Sequence, residues 1–153
     1  MSPRSRRIAL GSLGAVALVA AAALSAGNDA AFTSTAGLGD ADGAQIYSHI
    51  CQGCHMAQGQ GAVGAGYYPE LAGDRSLASW RYIALTVLDG RNGMPPFGLP
   101  SSQAWEIRAA HLSDAQVADV VNYVRTHFGN HYQGTVSAAQ VAALPHPGIG
   151  GAH

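Results

Sequence analysis

The chain has 153 residues, of which 48% are hydrophobic and only 11% are charged, whereas an average soluble domain has about 25% charged residues. This length suits a single domain, and the apolar content is too high for an intrinsically disordered chain. The formal net charge is −1 and no basic run follows the first residues, which argues against a nucleic-acid-binding surface. The low charge leaves three explanations: a membrane protein, a chain rich in Ala and Gly, or a core completed by something other than side chains.

Residues 1–27 have the layout of a secretory signal peptide. Three arginines within the first seven residues precede an uncharged run of 17 residues (8–24), which small residues follow. This run is barely long enough to span a bilayer and is rich in Ala, so we expect export with cleavage rather than a retained anchor. Cleavage would leave five arginines, nine acidic residues and no lysine, a net charge of −4. Polyanions and anionic membranes are poor partners for such a chain, which would contact a membrane only if the leader were retained.

Residues 28–39 show no periodicity and are predicted to be a flexible leader to the domain. Asp42 is a suitable N-cap for a helix that runs to about Ile50. Residues 52–74 contain six glycines and one proline, too many breakers for regular structure. We therefore expect a long loop here, and loops of this length usually carry function.

A second helix is predicted from Ser76, its N-cap, to about Leu88. Its apolar stripe consists of Leu77, Trp80, Ile83, Ala84, Val87 and Leu88, which recur at helical spacing. Residues 89–100 form a second loop rich in Gly and Pro, and residues 101–110 are predicted to form a short helix.

The last helix has the clearest signal. Ser113 and Gln116 make a capping box, and apolar residues follow at helical spacing up to Gly129: Val117, Val120, Val121, Val124 and Phe128. Residues 130–153 are a tail rich in Gly, Ala and Pro. Since no segment alternates in the manner of a strand, the sequence predicts an all-α domain at residues 40–129.

Residues 51–55, Cys-Gln-Gly-Cys-His, match C-x-x-C-H, the attachment signature of c-type haem. Two thiols at this spacing can each add to one vinyl group of the porphyrin, while His55 places an imidazole nitrogen under the iron. A thioredoxin-like motif needs a βαβ context, which is missing here. A closed zinc site needs four N or S ligands, and the sequence has no second Cys pair. A disulfide between Cys51 and Cys54 stays open as an alternative. The motif favours one haem c, covalently bound through the two cysteines.

An iron held by His55 needs a sixth ligand, and Met94 is the best candidate. Met56 is next to His55 and cannot reach the opposite face of the haem. A lone Met usually packs in a core, but Met94 lies between Gly93 and two prolines, a stiff segment that suits rigid presentation of a thioether. Four histidines are alternative ligands for bis-histidine coordination: His49, His111, His127 and His131.

With these two motifs, residues 40–129 resemble the class I monohaem cytochromes c of bacteria. Gly43 and Tyr47 stand where the family has a small and an aromatic residue on its N-terminal helix. Val120 and Tyr123 stand on the C-terminal helix that would cross it at close range. The resemblance implies about three to five helices wrapped around one covalently bound haem.

Residues 69–73, Pro-Glu-Leu-Ala-Gly, resemble the P-x-L-x-G segment of the family. There the carbonyl of the proline accepts a hydrogen bond from the ligand imidazole, which makes the histidine a stronger donor to iron. The resemblance therefore assigns this role to Pro69, acting on His55, and it assigns packing on the haem to Leu71.

His/Met ligation fills both axial positions and leaves no open site for a substrate. The resemblance thus implies a periplasmic one-electron carrier with no catalytic residues. More loosely, the sequence is similar to cytochrome subunits that accompany periplasmic dehydrogenases, so we expect a dehydrogenase as donor and an oxidase or another cytochrome as acceptor. The alternative function is a haem peroxidase or a ligand sensor, in which Met94 leaves the iron.

Three surface predictions complete the analysis. Since lysine is absent, we expect docking through an apolar rim, as in weak redox encounters, formed by Val63, Ala65, Tyr67, Pro96 and Phe97. Candidates for binding the haem propionates are Arg75, Trp80 and Arg91, of which Arg91 is favoured because it neighbours Met94. Residues 99–111 have the character of an insertion of about ten residues before the last helix, and we expect a longer loop there.

Overall fold

The computed structural model describes residues 38–100, 103 and 110–145. The predicted signal peptide, most of the predicted leader and most of the predicted short helix at residues 101–110 lie outside the described residues. Among the residues that are described, no helix is both long enough and apolar enough to cross a membrane.

The first helical stretch runs from residue 43 to residue 55 and changes its winding on the way. Helix α1 (Gly43–Ile46) leads into a π-helical turn (Tyr47–Cys51), and α2 (Gln52–His55) completes the stretch. Asp42 caps α1 as predicted, and the Gln45 side chain completes a capping box.

The predicted start of the first loop, at Gln52, is wrong. The helix continues through both cysteines and ends only after His55, where Met56 adopts a positive φ of 64°. Gly53 does not break it, because one glycine costs a helix only about 1 kcal/mol relative to alanine, which the surrounding helical hydrogen bonds and packing outweigh. Both thiols and the imidazole are therefore placed by helical backbone.

The loop that follows contains a small antiparallel hairpin. Strand β1 (Ala62–Val63) pairs with β2 (Tyr67–Tyr68), with Ala62 opposite Tyr68 and Val63 opposite Tyr67. The expectations of no regular structure in residues 52–74 and of a purely α-helical domain miss this hairpin, because two-residue strands are too short to show alternation. Helices remain the dominant regular structure of the described residues.

The second helical region begins with a 3-10 helix (Arg75–Ala78), followed by α3 (Trp80–Asp89). Ser76 was predicted as the N-cap, but Asp74 caps the 3-10 helix and Ser79 caps α3 by accepting from the Tyr82 N–H. Ser76 and Ser79 carry the same hydroxyl three residues apart, so propensity alone does not select between them.

Helix α4 (Asp114–Thr126) begins with the predicted capping box of Ser113 and Gln116. It ends at Thr126 rather than at Gly129, because His127 leaves the helical conformation and Phe128 has a positive φ of 58°. The C-terminal turn therefore comes one turn earlier than the apolar spacing suggested.

Helices α1 and α4 cross at very short range, as the resemblance implied. A Cβ atom on Gly43 would overlap the carbonyl of Asp119 and the side chain of Tyr123. The Tyr47 ring lies 5.5 Å from the Tyr123 ring and 4.7 Å from the Phe128 ring, centroid to centroid. Helix α3 packs against α4 as well. The core between these helices contains Ile46, Tyr47, Leu77, Ala84, Leu88, Val117, Val120 and Val121.

The packed structure extends beyond both predicted limits of the domain, 40 and 129. Leu38, assigned to the flexible leader, is buried, and its carbonyl accepts a hydrogen bond from the side-chain amide of Gln116. Residues assigned to the tail form helix α5 (Ala138–Ala142), which packs against α4 and is preceded by the buried Val136. A helix of five residues is too short for its periodicity to stand out in the sequence.

Candidate cofactor site

Cys51 and Cys54 lie within the first helical stretch, and both carry free thiols. Cys54 is exposed and Cys51 is half-buried. Burial, and to a smaller extent the charge of Cys54, raises the pKa of Cys51 to about 12, so this thiol is protonated at neutral pH.

His55 ends α2 and is buried. Its Nδ1 lies 2.9 Å from the Pro69 carbonyl oxygen, the contact that the resemblance implied. Because a carbonyl oxygen only accepts, Nδ1 must carry the proton, and the Nε2 lone pair is free to bind a metal. The contact also fixes the orientation of the ring and makes the imidazole a stronger donor.

The backbone around Pro69 is closely packed. Gly61 has a φ of +64° and lies directly against residues 68–69. A Cβ atom on Gly61 would overlap the carbonyl of Tyr68 and the backbone of Pro69. The Gly61 N–H donates to the His55 carbonyl at 3.1 Å. Gly61 therefore joins the end of α2 directly to the segment that supplies the acceptor for His55.

Met94 closes a tight turn. The Arg91 N–H donates to the Met94 carbonyl at 3.1 Å, and the Met94 N–H donates to the Arg91 carbonyl at 2.9 Å. The two residues between them, Asn92 and Gly93, both have positive φ, as in the tight turns of hairpins. Met94 is half-buried and packs against the core. The stiffness predicted for this segment is thus supplied by backbone hydrogen bonds as well as by the prolines.

The predicted docking rim divides into two parts. Val63 and Tyr67 are strongly exposed, at 84% and 74%, and Ala65 between them is exposed too. Phe97, by contrast, is only 8% exposed and belongs to the core, so its assignment to a docking surface is wrong. The Phe97 N–H donates to the Val87 carbonyl, and the Phe97 carbonyl accepts from the Leu112 N–H. These backbone hydrogen bonds hold Phe97 at a position where its ring is buried.

The other candidate residues occupy varied positions. Arg91 is exposed and lies over the Tyr82 ring at 5.6 Å. The Trp80 ring is covered by Arg81 at 4.6 Å, while Arg75 is exposed. Their binding to propionates stays a prediction.

Two of the alternative histidine ligands are tied to backbone carbonyls. His111 Nδ1 lies 2.6 Å from the Leu99 carbonyl oxygen, and His127 Nδ1 lies 2.8 Å from that of Tyr123. The His127 ring also stacks on Tyr123 at 3.9 Å. Coordination of iron by either of these histidines stays a prediction.

Sequence reasoning missed the side chains that hold the loop around Leu71. Asn130 and Arg125 are 3% and 4% exposed, and both donate to carbonyls of residues 71–77. Arg125 was visible only as a charge on an apolar helix face, and Asn130 only as a residue after a glycine. Neither pattern identifies a partner that is about 50 to 60 residues away in the chain.

The residues present fit a haem of c type. No group of three or more His, Cys, Asp or Glu side chains within the described ranges is suited to hold a metal ion by itself. The residues present are instead two free thiols, which would attach to the porphyrin, and an oriented imidazole, which would bind its iron.

Comparison with known proteins decides the family. Residues 41–128, more than half of the chain, match the model of the cytochrome c family. The chain belongs to the cytochrome c family. Covalently bound haem c, attached through Cys51 and Cys54, is its cofactor. The protein transfers electrons and is not itself catalytic. Because both cysteines attach the haem, a disulfide between them is excluded.

The relatives come from two groups. The cytochrome c subunit of the quinone alcohol dehydrogenase of Gluconobacter oxydans is 36% identical over 120 residues, which is 77% of this chain and 24% of that protein. The cytochrome c subunit of gluconate 2-dehydrogenase from Pantoea cypripedii is 36% identical over 108 residues, 67% of this chain and 23% of that protein. Cytochrome c-552 of Thermus thermophilus is 36% identical over 104 residues, 61% of this chain and 64% of that protein. The chain thus spans only about a quarter of the length of the dehydrogenase subunits.

Proposed function

We propose that this cytochrome is a periplasmic one-electron carrier with a haem iron ligated by His55 and Met94. The haem supplies an iron that cycles between the Fe(II) and Fe(III) states. The observation that carries the proposal is the 2.9 Å contact between His55 Nδ1 and the Pro69 carbonyl, because it leaves Nε2 free and directs the ring. The proposal includes a cleaved signal peptide at residues 1–27.

The surroundings of His55 suit electron transfer. His55 is only 9% exposed, which limits the access of water to it. The ring is held through Nδ1 by the Pro69 carbonyl, and the His55 backbone is held by the Gly61 N–H, so the residue has little room to move when the charge of the iron changes. Small rearrangement on each redox step is what a fast carrier needs.

Met94 contributes a neutral sulfur from a closed turn. A neutral thioether favours the ferrous state and raises the reduction potential. The turn is closed by two backbone hydrogen bonds to Arg91, which fix the backbone from which the thioether extends. If His55 and Met94 both bound the iron, no coordination position would remain for a substrate.

The relatives guide the choice of partner. Three of them are named as cytochrome subunits of alcohol, gluconate and fructose dehydrogenases. We therefore propose a periplasmic dehydrogenase as the electron donor and a respiratory oxidase or another cytochrome as the acceptor. Residues 56–69 contain no charged side chain, and Val63, Tyr67 and Tyr68 on this segment form an exposed apolar hairpin surface, which suits docking by apolar contact.

Replacement of Met94 tests the ligand set. In Met94→Ala, the weak sulfur-to-iron charge-transfer band of the ferric protein should disappear, and a high-spin spectrum with rapid binding of carbon monoxide should replace it. Met56→Ala is the matched control. Because Met56 is next to His55, it cannot reach the opposite face of the haem, and its replacement should leave the band intact. An unchanged band in Met94→Ala would exclude Met94 as the ligand. Rapid carbon monoxide binding by the unmodified protein would favour a ligand sensor instead.

A further inference from the structure

Asn130 lies just after the last long helix and is only 3% exposed. Its side-chain amide donates to the carbonyls of Leu71 and Val124, each at 2.9 Å. The Val124 carbonyl is in the last turn of α4, where carbonyls lack a partner within the helix. One amide group therefore joins the end of α4 to the loop that contains Pro69.

Leu71 is held on both sides of its backbone. Its N–H donates to the Gly59 carbonyl at 2.6 Å, and its carbonyl accepts from Asn130. Pro69, whose carbonyl faces His55 Nδ1, is only two residues earlier. A displacement of Leu71 would therefore be passed through one intervening residue to the acceptor of His55.

Further bonds tie the same two regions together. Residues 130–134, here named the C-terminal strap, include Tyr132, whose hydroxyl donates to the Asp74 carbonyl at 2.9 Å. The Tyr132 N–H donates to the Arg125 carbonyl at 3.0 Å. Arg125 in turn donates to the Leu77 carbonyl at 3.2 Å and to two carbonyls of the strap. Of these three side chains, Asn130 has the partner that lies nearest to Pro69 in the chain, Leu71.

We propose that Asn130 is a positioning residue for His55, acting through Leu71 and Pro69. By fixing Leu71 it sets the place of the Pro69 carbonyl, and so the strength of the hydrogen bond from His55 Nδ1–H and the donor power of the imidazole. The inference rests on the proposed function, since it concerns His55 as the iron ligand.

The Asn130 side chain also offers a clean substitution. Its Oδ1 is buried and, among the described residues, is the one buried side-chain polar atom without a hydrogen-bond partner. Such an atom costs stability. Leucine is of similar size to asparagine. Asn130→Leu removes the amide donor and the unpaired Oδ1 together, so the gain from losing the unpaired acceptor offsets part of the stability lost with the donor.

The test compares Asn130→Leu with Tyr132→Phe in the haem-loaded protein. Tyr132→Phe removes a strap bond of the same kind but leaves both bonds of Asn130 in place. A weaker imidazole donor stabilises Fe(III) less, so Asn130→Leu should raise the ferrous-to-ferric ratio at a fixed potential roughly two- to fivefold, or roughly 20–40 mV at 59 mV per tenfold. Tyr132→Phe should leave that ratio close to the wild-type value.

A second readout follows the hydrogen bond itself. The exchange of His55 Nδ1–H with solvent, followed by NMR, should be faster in Asn130→Leu than in the wild type and in Tyr132→Phe. Equal shifts of potential in both variants, or no change of potential and exchange in Asn130→Leu, would overturn the proposal. A wild-type protein without an iron-ligated His55 resonance would instead overturn the proposed function, which is a separate result.

If Asn130→Leu does not fold well enough to be purified, native-state hydrogen exchange of the wild-type protein tests the coupling instead. When strap and loop are coupled, the amides of Leu71 and Tyr132 open together, so native-state hydrogen exchange should give them equal opening free energies and equal denaturant dependence. Exchange of Leu71 through a much easier opening, while Tyr132 stays protected, would contradict the coupling and with it the role of Asn130.

Discussion

The loop that ends at Leu71 and the turn that contains Met94 are held in different ways. The turn is closed by two backbone bonds between Met94 and Arg91, three residues apart. The loop is closed by the bond from the Leu71 N–H to the Gly59 carbonyl and is held in addition by Asn130, which is 59 residues away in the chain. A turn closed by near neighbours keeps its geometry when distant parts loosen, whereas a loop that also depends on a distant side chain loses part of its support. Changes near the C-terminus should therefore act on the His55 side of the site first.

The largest expected effect compares two glycines, one in each region. Both Gly61 and Gly93 have positive φ, but a Cβ atom on Gly93 meets nothing within 4 Å, whereas one on Gly61 would overlap the Pro69 backbone. Gly93→Ala should cost about 1 kcal/mol of unfolding free energy, from backbone strain alone. Gly61→Ala should cost about 3 kcal/mol, because overpacking adds to the strain. Denaturant unfolding of the haem-loaded variants measures both, and equal losses would show that the loop is not packed as described.

A smaller effect is expected from the buried arginine that anchors the C-terminal strap. Arg125→Gln should lower the unfolding free energy by about 2 kcal/mol, because bonds from a charged donor to buried carbonyls are lost. Arg81→Gln, which removes an exposed guanidinium stacked on Trp80, should cost about 0.5 kcal/mol. Hydrogen exchange should then be faster at Leu71 in Arg125→Gln but unchanged at Met94. Faster exchange at Met94 as well would remove the distinction between the two regions.

The smallest effect is the one expected from salt. If the hairpin surface docks the electron donor by apolar contact, raising the salt concentration should change the electron-transfer rate by less than about twofold, since no charged residue steers the encounter. Val63→Lys should make the rate salt-dependent. Ala138→Lys, at an exposed position on α5, is the control and should not. A steep loss of rate with salt in the wild type would contradict apolar docking.

Local chemistry in the sequence predicted local structure well. The capping box of Ser113 and Gln116 and the cap at Asp42 are both present, because each needs only residues three apart. The family resemblance correctly implied the contact between His55 and Pro69. Short motifs are therefore enough to predict a contact when the two interacting groups are close in the chain.

The features that the sequence did not predict depend on contacts between residues that are far apart in the chain. Phe97 stands between a proline and a glycine, a pattern of an exposed loop, yet hydrogen bonds to Val87 and Leu112 hold it in the core. Asn130 was assigned to a tail rich in Gly, Ala and Pro, because no residue near it in the chain indicates its partner Leu71. In both cases the position of the side chain is set by backbone carbonyls and amides, which every residue carries and which therefore leave no trace in the residue pattern.

The π-helical turn at Tyr47–Cys51 has a geometric consequence for the whole site. A wider turn holds about one residue more than an α-helical turn, and one residue corresponds to about 100° of rotation around the axis. Ile46, before the turn, is fully buried, whereas Cys54, after it, is exposed. One continuous helical stretch can thus face α4 with its first half and expose Cys54 with its second half, through a change of winding rather than a break in the chain.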